Sequence, residues 1–378
     1  MKFKVKLPAR INVLGNPSDA VEGEHQTISA AINMYGEAVC EEAEALTFEI
    51  LDKPTDEGGA TISRFEVFAD SDLEYGDEFD LFKAAVNILL KHSPEFREVY
   101  GQHVPKMSFY SEIPRRSGLG GSTVLLLLAL VSLVRFYKLN PLKHNLYMLG
   151  ELSQRAEEKE LDITCGYADR YVPLFGDIAY IDYRGKLFHK PVFEEPLATY
   201  EKLGRFVDHF PLVLVYTGVE HDSGNVHGRM RKLYLEERLR FAGDYDNAPP
   251  LVRIMKQVGD TAWKGKIALL EADWERFGTL MNENHRLVDE MMRYCGFAAG
   301  AGEADNRMIR AGLDAGALGA KLTGAGEGGS VFVLTLPGQE QEMAGFLKDK
   351  LKEYGYQNGR VYIPSIDAQG LVILDEEP

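Results

Sequence analysis

Cysteine is scarce in this sequence. Its three residues, Cys40, Cys165 and Cys295, stand far apart among 378 positions. No Cys-x-x-Cys or Cys/His spacing is present, which excludes the common zinc modules. Three isolated thiols also argue against a disulfide framework and fit a reducing compartment. Basic charge is short as well: Lys plus Arg is 42 against 58 Asp plus Glu, so 42 − 58 gives a net −16. That balance excludes broad nucleic-acid or anionic-membrane binding, and any phosphate site must be built locally. Long apolar runs are missing. The longest, Thr123–Val134, has Ser132 inside it and Arg135 just after, too short to span a bilayer and suited to a buried helix. The first residues, Met-Lys-Phe-Lys-Val-Lys, alternate like an edge strand and lack the apolar core of a signal peptide. Neither a low-complexity segment nor an internal repeat is found. The expectation is a cytoplasmic protein with no nucleic-acid and no membrane partner.

A chain this long predicts two domains, placed at 1–200 and 201–378 with a boundary region at Glu194–Arg205. Phe3–Leu7 and Ile11–Leu14 read as strands interrupted by Pro8. Thr27–Met34, Ala38–Leu51, Thr61–Phe68 and Met107–Glu112 are further strands. Phe79–His92 has apolar residues at helical spacing. After Pro141 an amphipathic helix is expected over about Leu146–Glu160. Phe175–Tyr183 and Lys186–Val192 resemble a strand pair turned at Arg184-Gly185. In the second half, Phe210–Tyr216, Leu318–Thr323, Ser330–Leu336, Arg360–Pro364 and Gly370–Leu374 read as strands. Gly224–Phe241, Leu251–Glu271, Trp274–Met292, Ala304–Ala315 and Glu340–Tyr354 read as helices. The fold class is α+β in both halves, with the carboxyl half richer in helix.

Against that background, two glycine loops stand out. Pro114-Arg-Arg-Ser-Gly-Leu-Gly-Gly-Ser-Thr123 leads straight into the apolar segment. Gly118, Gly120 and Gly121 permit a tight backbone that aims several N–H groups at one point, and Ser122 or Thr123 is expected to cap the helix that follows. A glycine-rich loop at a helix N-terminus is an anion site. The second loop, Gly324-Ala-Gly-Glu-Gly-Gly329, contains G-x-G-x-x-G. A strand follows it rather than a helix, which rules out a dinucleotide fingerprint. Neither loop has the Gly-Lys-Ser/Thr of a P-loop. A third element, Leu7-Pro-Ala-Arg-Ile-Asn-Val-Leu-Gly-Asn-Pro-Ser-Asp19, carries Arg10 and Asp19 at opposite ends of a short strand and turn.

In order and spacing, these three elements resemble the motifs of the GHMP kinase superfamily (galactokinase, homoserine kinase, mevalonate kinase, phosphomevalonate kinase). The first motif is similar to Pro8–Asp19, the second to Pro114–Thr123 and the third to Lys321–Ser330. The resemblance implies an N-terminal mixed α/β domain of the ribosomal protein S5 domain 2-like kind and a ferredoxin-like C-terminal domain. It also implies transfer of the ATP γ-phosphoryl group to a small alcohol with Mg²⁺, by a monomer or homodimer. On the same grounds Pro114, Ser117, Gly118, Leu119, Gly120, Gly121, Ser122 and Thr123, with Gly324 and Gly326, hold ATP. Ser122 and Glu157 hold the metal; Glu157, twelve residues before Asp169, fits a galactokinase-like spacing, and Glu158 fits a mevalonate-kinase-like one. Cys165-Gly-Tyr-Ala-Asp-Arg170 resembles the family's Gly-x-x-Asp segment, which makes Asp169 the base and Arg10 the cation beside it. Two departures stand out. Glu327 interrupts the third motif where Gly is usual, and Gly121 replaces a common Ser.

Acceptor identity rests on two other segments. Gly15-Asn-Pro-Ser-Asp19 keeps Asp19 but has Asn16 where galactokinases have Glu, which removes a repulsion against an anionic substrate. This turn, and His221-Asp-Ser-Gly-Asn-Val-His227, resemble segments of glucuronokinases. Asn16, Ser18, Asp19, Asp222, Ser223 and His227 are then the substrate residues, and the anomeric hydroxyl of a sugar acid is the acceptor. The alternatives are a neutral hexose, a heptose phosphate or a mevalonate-type alcohol on the same fold. A silent ATP or sugar sensor is a further alternative, kept open by Glu327.

Overall fold

The computed structural model describes residues 2–23, 25–68, 71–186, 191–207, 209–220 and 223–375. In order, the first half contains β1 (Lys2–Leu14), β2 (Gln26–Ala43), β3 (Leu46–Leu51), β4 (Thr61–Val67), α1 (Asp80–His92), α2 (Pro94–Val99), β5 (Val104–Ser111), α3 (Gly121–Phe136), α4 (Leu146–Arg155), α5 (Ala168–Phe175), β6 (Ile178–Asp182) and β7 (Thr199–Lys202). The second half contains β8 (Leu212–Tyr216), α6 (Ser223–Arg238), α7 (Pro250–Leu270), α8 (Trp274–Tyr294), α9 (Glu303–Asp314), β9 (Gly319–Thr323), β10 (Ser330–Leu334), α10 (Glu340–Glu353), β11 (Arg360–Tyr362) and β12 (Val372–Asp375).

Two sheets result. The larger runs β12-β1-β2-β5-β3-β4, with β6 and β7 continuing from β2, and only β3 and β5 pair in parallel. The smaller is antiparallel, in the order β11-β8-β10-β9. Two sheets with helices packed on them are the α+β arrangement that the resemblance implies. Pro8 does not split β1, because the pairing with β2 shifts register between Pro8 and Ala9 and absorbs the missing donor in a bulge. The last strand, β12, returns across the whole chain to pair with β1.

α3 is apolar on nearly every side, and Leu126, Leu127, Leu128 and Leu130 are fully buried. A helix with that composition is stable only under cover, and here it packs over β2, β1 and β5. Each such leucine contributes about 1.5–3 kcal/mol by leaving water. The amphipathic helix expected to Glu160 is α-helical only to Arg155. Its last turn, Ala156–Glu160, widens to a π-helix, which turns Glu157 and Glu158 to different neighbours. β6 pairs with β2 on one edge and β7 on the other; residues 187–190 of the strand expected at Lys186–Val192 lie outside the described residues. Within the Glu194–Arg205 region, Thr199–Lys202 joins the larger sheet as β7.

Candidate active site

Between the two sheets lies an open cleft with a cavity volume of about 120 Å³, and the site is built along its walls. Its floor begins on β1. Side chains two apart on a strand share a face, so Arg10 and Asn12 point the same way. Both reach Asp169, in the first turn of α5. Arg10 Nε donates to Asp169 Oδ1 at 2.6 Å, Arg10 Nη2 donates to Oδ2, and Asn12 Nδ2 donates to Oδ1 at 3.3 Å. The Arg10 side chain is 4% exposed and that of Asp169 26%, so the carboxylate keeps one side open to the cleft. Burial by itself would raise the Asp169 carboxyl. The charge and hydrogen bonds of Arg10, then the charge of Arg170, outweigh it and hold the group well below the usual carboxylate range.

Above the floor stands the first glycine loop. Gly120 has φ +82° and is itself the N-cap of α3, with no side chain capping the helix. Ser122 and Thr123 therefore lie inside the first turn rather than at the cap, because a left-handed Gly120 already ends the loop. The uncapped N–H groups of that turn are what an anion would meet. Ser117 Oγ is buried without a hydrogen-bond partner and lines the same wall. Arg10 ties this loop to the floor: its backbone N–H donates to Leu119 O at 3.1 Å and its Nη1 donates to Gly118 O.

From the other domain the second glycine loop closes over the first. At Gly324, φ +86°, an added Cβ would lie 2.9 Å from Gly118 Cα. This position needs glycine on both counts. Glu327, the departure in this loop, is exposed, does not line the cleft, and donates its backbone N–H to Ala301 O at 2.8 Å. Its carboxylate is not part of the cleft wall that carries the first glycine loop. Asp305 on α9 anchors the loop by accepting from Gly328 N at 2.9 Å; burial pushes the Asp305 carboxyl up to about 7.

The remaining wall is formed by the turn after β1. Asp19 Oδ2 accepts from Tyr167 N and Ala168 N, both at 2.9 Å, and so caps α5 from a distant part of the chain. A Cβ at Gly166 would lie 2.2 Å from that oxygen, so glycine there admits the cap. Burial is the main reason the Asp19 carboxyl rises, to about 6; the Ala168 N–H bond opposes it and the charge of Asp169 adds to it. Asn16 Nδ2 donates to Gly324 O at 3.2 Å, and Lys321 Nζ donates to Asn16 Oδ1 at 3.0 Å.

Glu157 lines the cleft near Ser122 and Thr123 and is paired with Arg170 Nη2 at 2.5 Å. Arg170 Nη1 also donates to Thr123 Oγ1. Glu158 turns away and accepts from Arg231 Nη1 at 2.9 Å and Gln154 Nε2 at 2.6 Å. One carboxylate and one hydroxyl beside an anion cradle form a donor set that fits a magnesium ion, which takes few protein ligands and completes its shell with phosphate and water. Among the described residues there is no denser cluster of metal-binding side chains.

The cleft thus brings together Arg10, Asn16, Asp19, Ser117, Gly118, Gly120, Gly121, Ser122, Thr123, Glu157, Asp169, His227 and Gly324. Other expected residues stand apart from it. Leu119 is buried in the core, and Pro114 precedes the wall. Ser18 is buried with its hydroxyl 3.5 Å from Gln26 O. Gly326 backs onto α8, where a Cβ would meet Met292 Sδ at 2.8 Å. Asp222 lies outside the described residues, as does the side chain of Ser223. Asn12, Arg170, Lys321 and Arg116 were not anticipated. Asn12 was legible from its place two residues beyond Arg10. Arg116 lines the cleft and pairs with Glu220 at 3.1 Å.

Two family models match the chain: GHMP kinases N terminal domain over residues 80–177, and GHMP kinases C terminal over 266–357. The first spans the first glycine loop, Glu157 and Asp169; the second spans the other glycine loop. The chain belongs to the GHMP kinase family. This GHMP kinase is a phosphotransferase with an alcohol group as acceptor. It is 28% identical to the probable glucuronokinase 2 of Arabidopsis thaliana over 372 residues, covering 93% of this chain and 91% of that one. It is 25% identical to the mevalonate kinase of Thermococcus sibiricus over 389 residues, covering 99% of each. The crystal structure of Lactococcus lactis galactokinase complexed with galactose superposes with a TM-score of 0.76 at 18% identity, covering 98% of this chain and 95% of that one. No helix among the described residues is long and apolar enough to cross a membrane.

Proposed function

We propose that this GHMP kinase transfers the γ-phosphoryl group of ATP to the anomeric hydroxyl of a sugar acid, as a glucuronokinase does. The observation that carries the reading is the Arg10–Asp169 pair, held open on one side between an uncapped helix N-terminus and the Asn16–Asp19 turn. Phosphoryl transfer asks mainly for positioning and charge neutralisation. In this reading the backbone of Ser117–Thr123 and Gly324 receive the phosphates of ATP, and the orphaned Ser117 hydroxyl gains a partner there. Ser122 Oγ and the Glu157 carboxylate hold Mg²⁺, which when bound neutralises charge on the phosphates.

Asp169 orients the acceptor hydroxyl and takes its proton. Its low proton affinity suits a loose transition state, in which the hydroxyl gives up its proton late. Arg10 then stabilises the forming alkoxide. Asn16, Asp19 and His227 contact the acceptor. The Asn16 amide in place of a carboxylate and the likeness to a plant glucuronokinase support an acidic sugar. The outward position of Glu327 speaks against the sensor alternative.

The test is an ADP-release screen with Mg²⁺ over glucuronate, galacturonate, galactose, a heptose phosphate and mevalonate. Highest kcat/KM on a uronic acid is the expected outcome. Preference for mevalonate, which the likeness to a mevalonate kinase makes the arm to watch, would overturn the sugar reading. Binding of ATP without turnover of any acceptor would overturn catalysis.

A further inference from the structure

Lys321 is fully buried on β9, directly beneath the cleft floor, and among the described residues no carboxylate lies within hydrogen-bond reach of it. Its three hydrogen bonds go to Asn12 O at 3.1 Å, Asn16 Oδ1 at 3.0 Å and Leu322 O at 2.7 Å. Burial favours the neutral amine and lowers its proton affinity. The partners oppose that: two are backbone carbonyls, and the third is fixed as an oxygen by what lies on the far side of Asn16. There the other amide atom faces Gly324 O at 3.2 Å, and a carbonyl accepts only from an N–H. The reverse orientation would set two acceptors against each other. Three acceptors match the three hydrogens of an ammonium, and Phe332 supplies a ring face 5.1 Å from Nζ.

This arrangement leaves Asn16 little to offer. Its oxygen is drawn toward the Lys321 cation, which takes one lone pair and weakens the other as an acceptor, and one amide hydrogen goes to Gly324. What Asn16 offers most strongly to a molecule in the cleft is its second N–H. We propose that Lys321 is a positioning residue that sets acceptor selectivity through Asn16, by clamping the amide so that the cleft presents a hydrogen-bond donor in preference to an acceptor at this point. A donor there favours a carboxylate or ring oxygen of the acceptor over a hydroxyl hydrogen. The inference rests on the sugar-acid reading for the identity of the acceptor but not for the clamp itself.

The experiment measures kcat and KM at saturating ATP for glucuronate and galactose, and KM for ATP, in wild type, Lys321→Met, Asn16→Leu, the double variant and Asn16→Asp. Lys321→Met is expected to lower the glucuronate-to-galactose ratio of kcat/KM about tenfold, the scale of one directed hydrogen bond, while the KM for ATP moves less than twofold. In the Asn16→Leu background the same change is expected to do nothing further to the ratio. Independent, multiplying effects, or an equal loss on both sugars, would overturn the inference and leave Lys321 a structural residue. Asn16→Asp keeps Lys321 paired and is close to isosteric, so it serves if Lys321→Met does not fold. It is expected to cut glucuronate turnover more than tenfold beyond any effect on galactose, and equal treatment of both sugars would overturn the inference. Wild type that turns over galactose and not glucuronate overturns the substrate reading. The cycle is then run on galactose, where non-additivity alone decides the role of Lys321.

Discussion

Arg10 and Asp169, separated by 159 positions in the chain, meet through both carboxylate oxygens on the floor of the cleft. The carboxylate is thereby kept ionised with one side open. Asp169→Asn preserves its shape and one acceptor oxygen but removes the charge that, in the proposed reading, receives the proton. Turnover should fall by about 10²–10⁴, with ATP affinity nearly unchanged by calorimetry. A variant retaining most of its activity would remove Asp169 from the chemistry.

Arg10 controls the ionisation of that group. Because the carboxyl lies below the usual range in the folded protein, Asp169 contributes stability above the unfolded carboxylate range that is lost only as pH falls through the depressed folded value. Arg10→Lys cannot reproduce the two-pronged contact. The Asp169 carboxyl should then rise, so both the acid limb of kcat and the acid unfolding transition should move to higher pH. Measured pH profiles that superpose on wild type would contradict the assigned partnership.

Much of this site was legible before the fold was known, and the reasons for what was not are physical. The glycine loops announce themselves because Gly118, Gly120, Gly324, Gly326, Gly328 and Gly329 take left-handed backbone angles that glycine adopts readily, and Arg10, Asn16 and Asp19 lie within one short segment. Arg170 reads locally as a partner for its neighbour Asp169, yet it bonds Glu157 and Thr123. Glu327 looks hazardous in one dimension and points outward in three. The apolar run of α3 declares a buried helix. By contrast, the closure of the sheet by β12 on β1 depends on pairing between the two ends of the chain, which no window of sequence contains. The same holds for the cap of Asp19 on α5 and for Lys321 under Asn16.

At the proposed metal position, Glu157→Gln keeps a hydrogen bond to Arg170 while removing the charge. The Mg²⁺ concentration needed for half-maximal ATP binding should rise about tenfold or more, read by titration calorimetry, with nucleotide binding in EDTA unaffected. No change in the Mg²⁺ dependence would move the metal elsewhere.

The contact of the two glycine loops makes a paired prediction. Gly324→Ala places a methyl 2.9 Å from Gly118 Cα on a backbone of φ +86°, so it must push the loops apart. KM for ATP should rise at least tenfold and Tm should fall by several degrees. Glu327→Ala changes an exposed side chain outside the cleft and should leave both within twofold and about 1 °C. Reversal of this order would mean that the loops do not meet as described.

Asp19 gives the opposite pH signature to Asp169. Its carboxyl is raised to about 6 in the folded protein, so its neutral form is the favoured one. Its contribution to stability is fully present below the unfolded carboxylate range of about 4 and is lost as pH rises through 6. Asp19→Asn keeps an oxygen for Tyr167 N and Ala168 N and cannot ionise. The variant should therefore gain stability relative to wild type between pH 4 and 7, by on the order of 3 kcal/mol for a shift of about two pH units. In wild type the acceptor KM should change across the same interval, as a charged Asp19 becomes available to accept from substrate hydroxyls. In Asp19→Asn that change should vanish. Denaturant titrations and acceptor KM values at pH 4.5, 6 and 7.5 test both statements. Parallel stability curves for the two proteins would show that Asp19 does not titrate in this interval, and its part in pH-dependent acceptor recognition would fall with it.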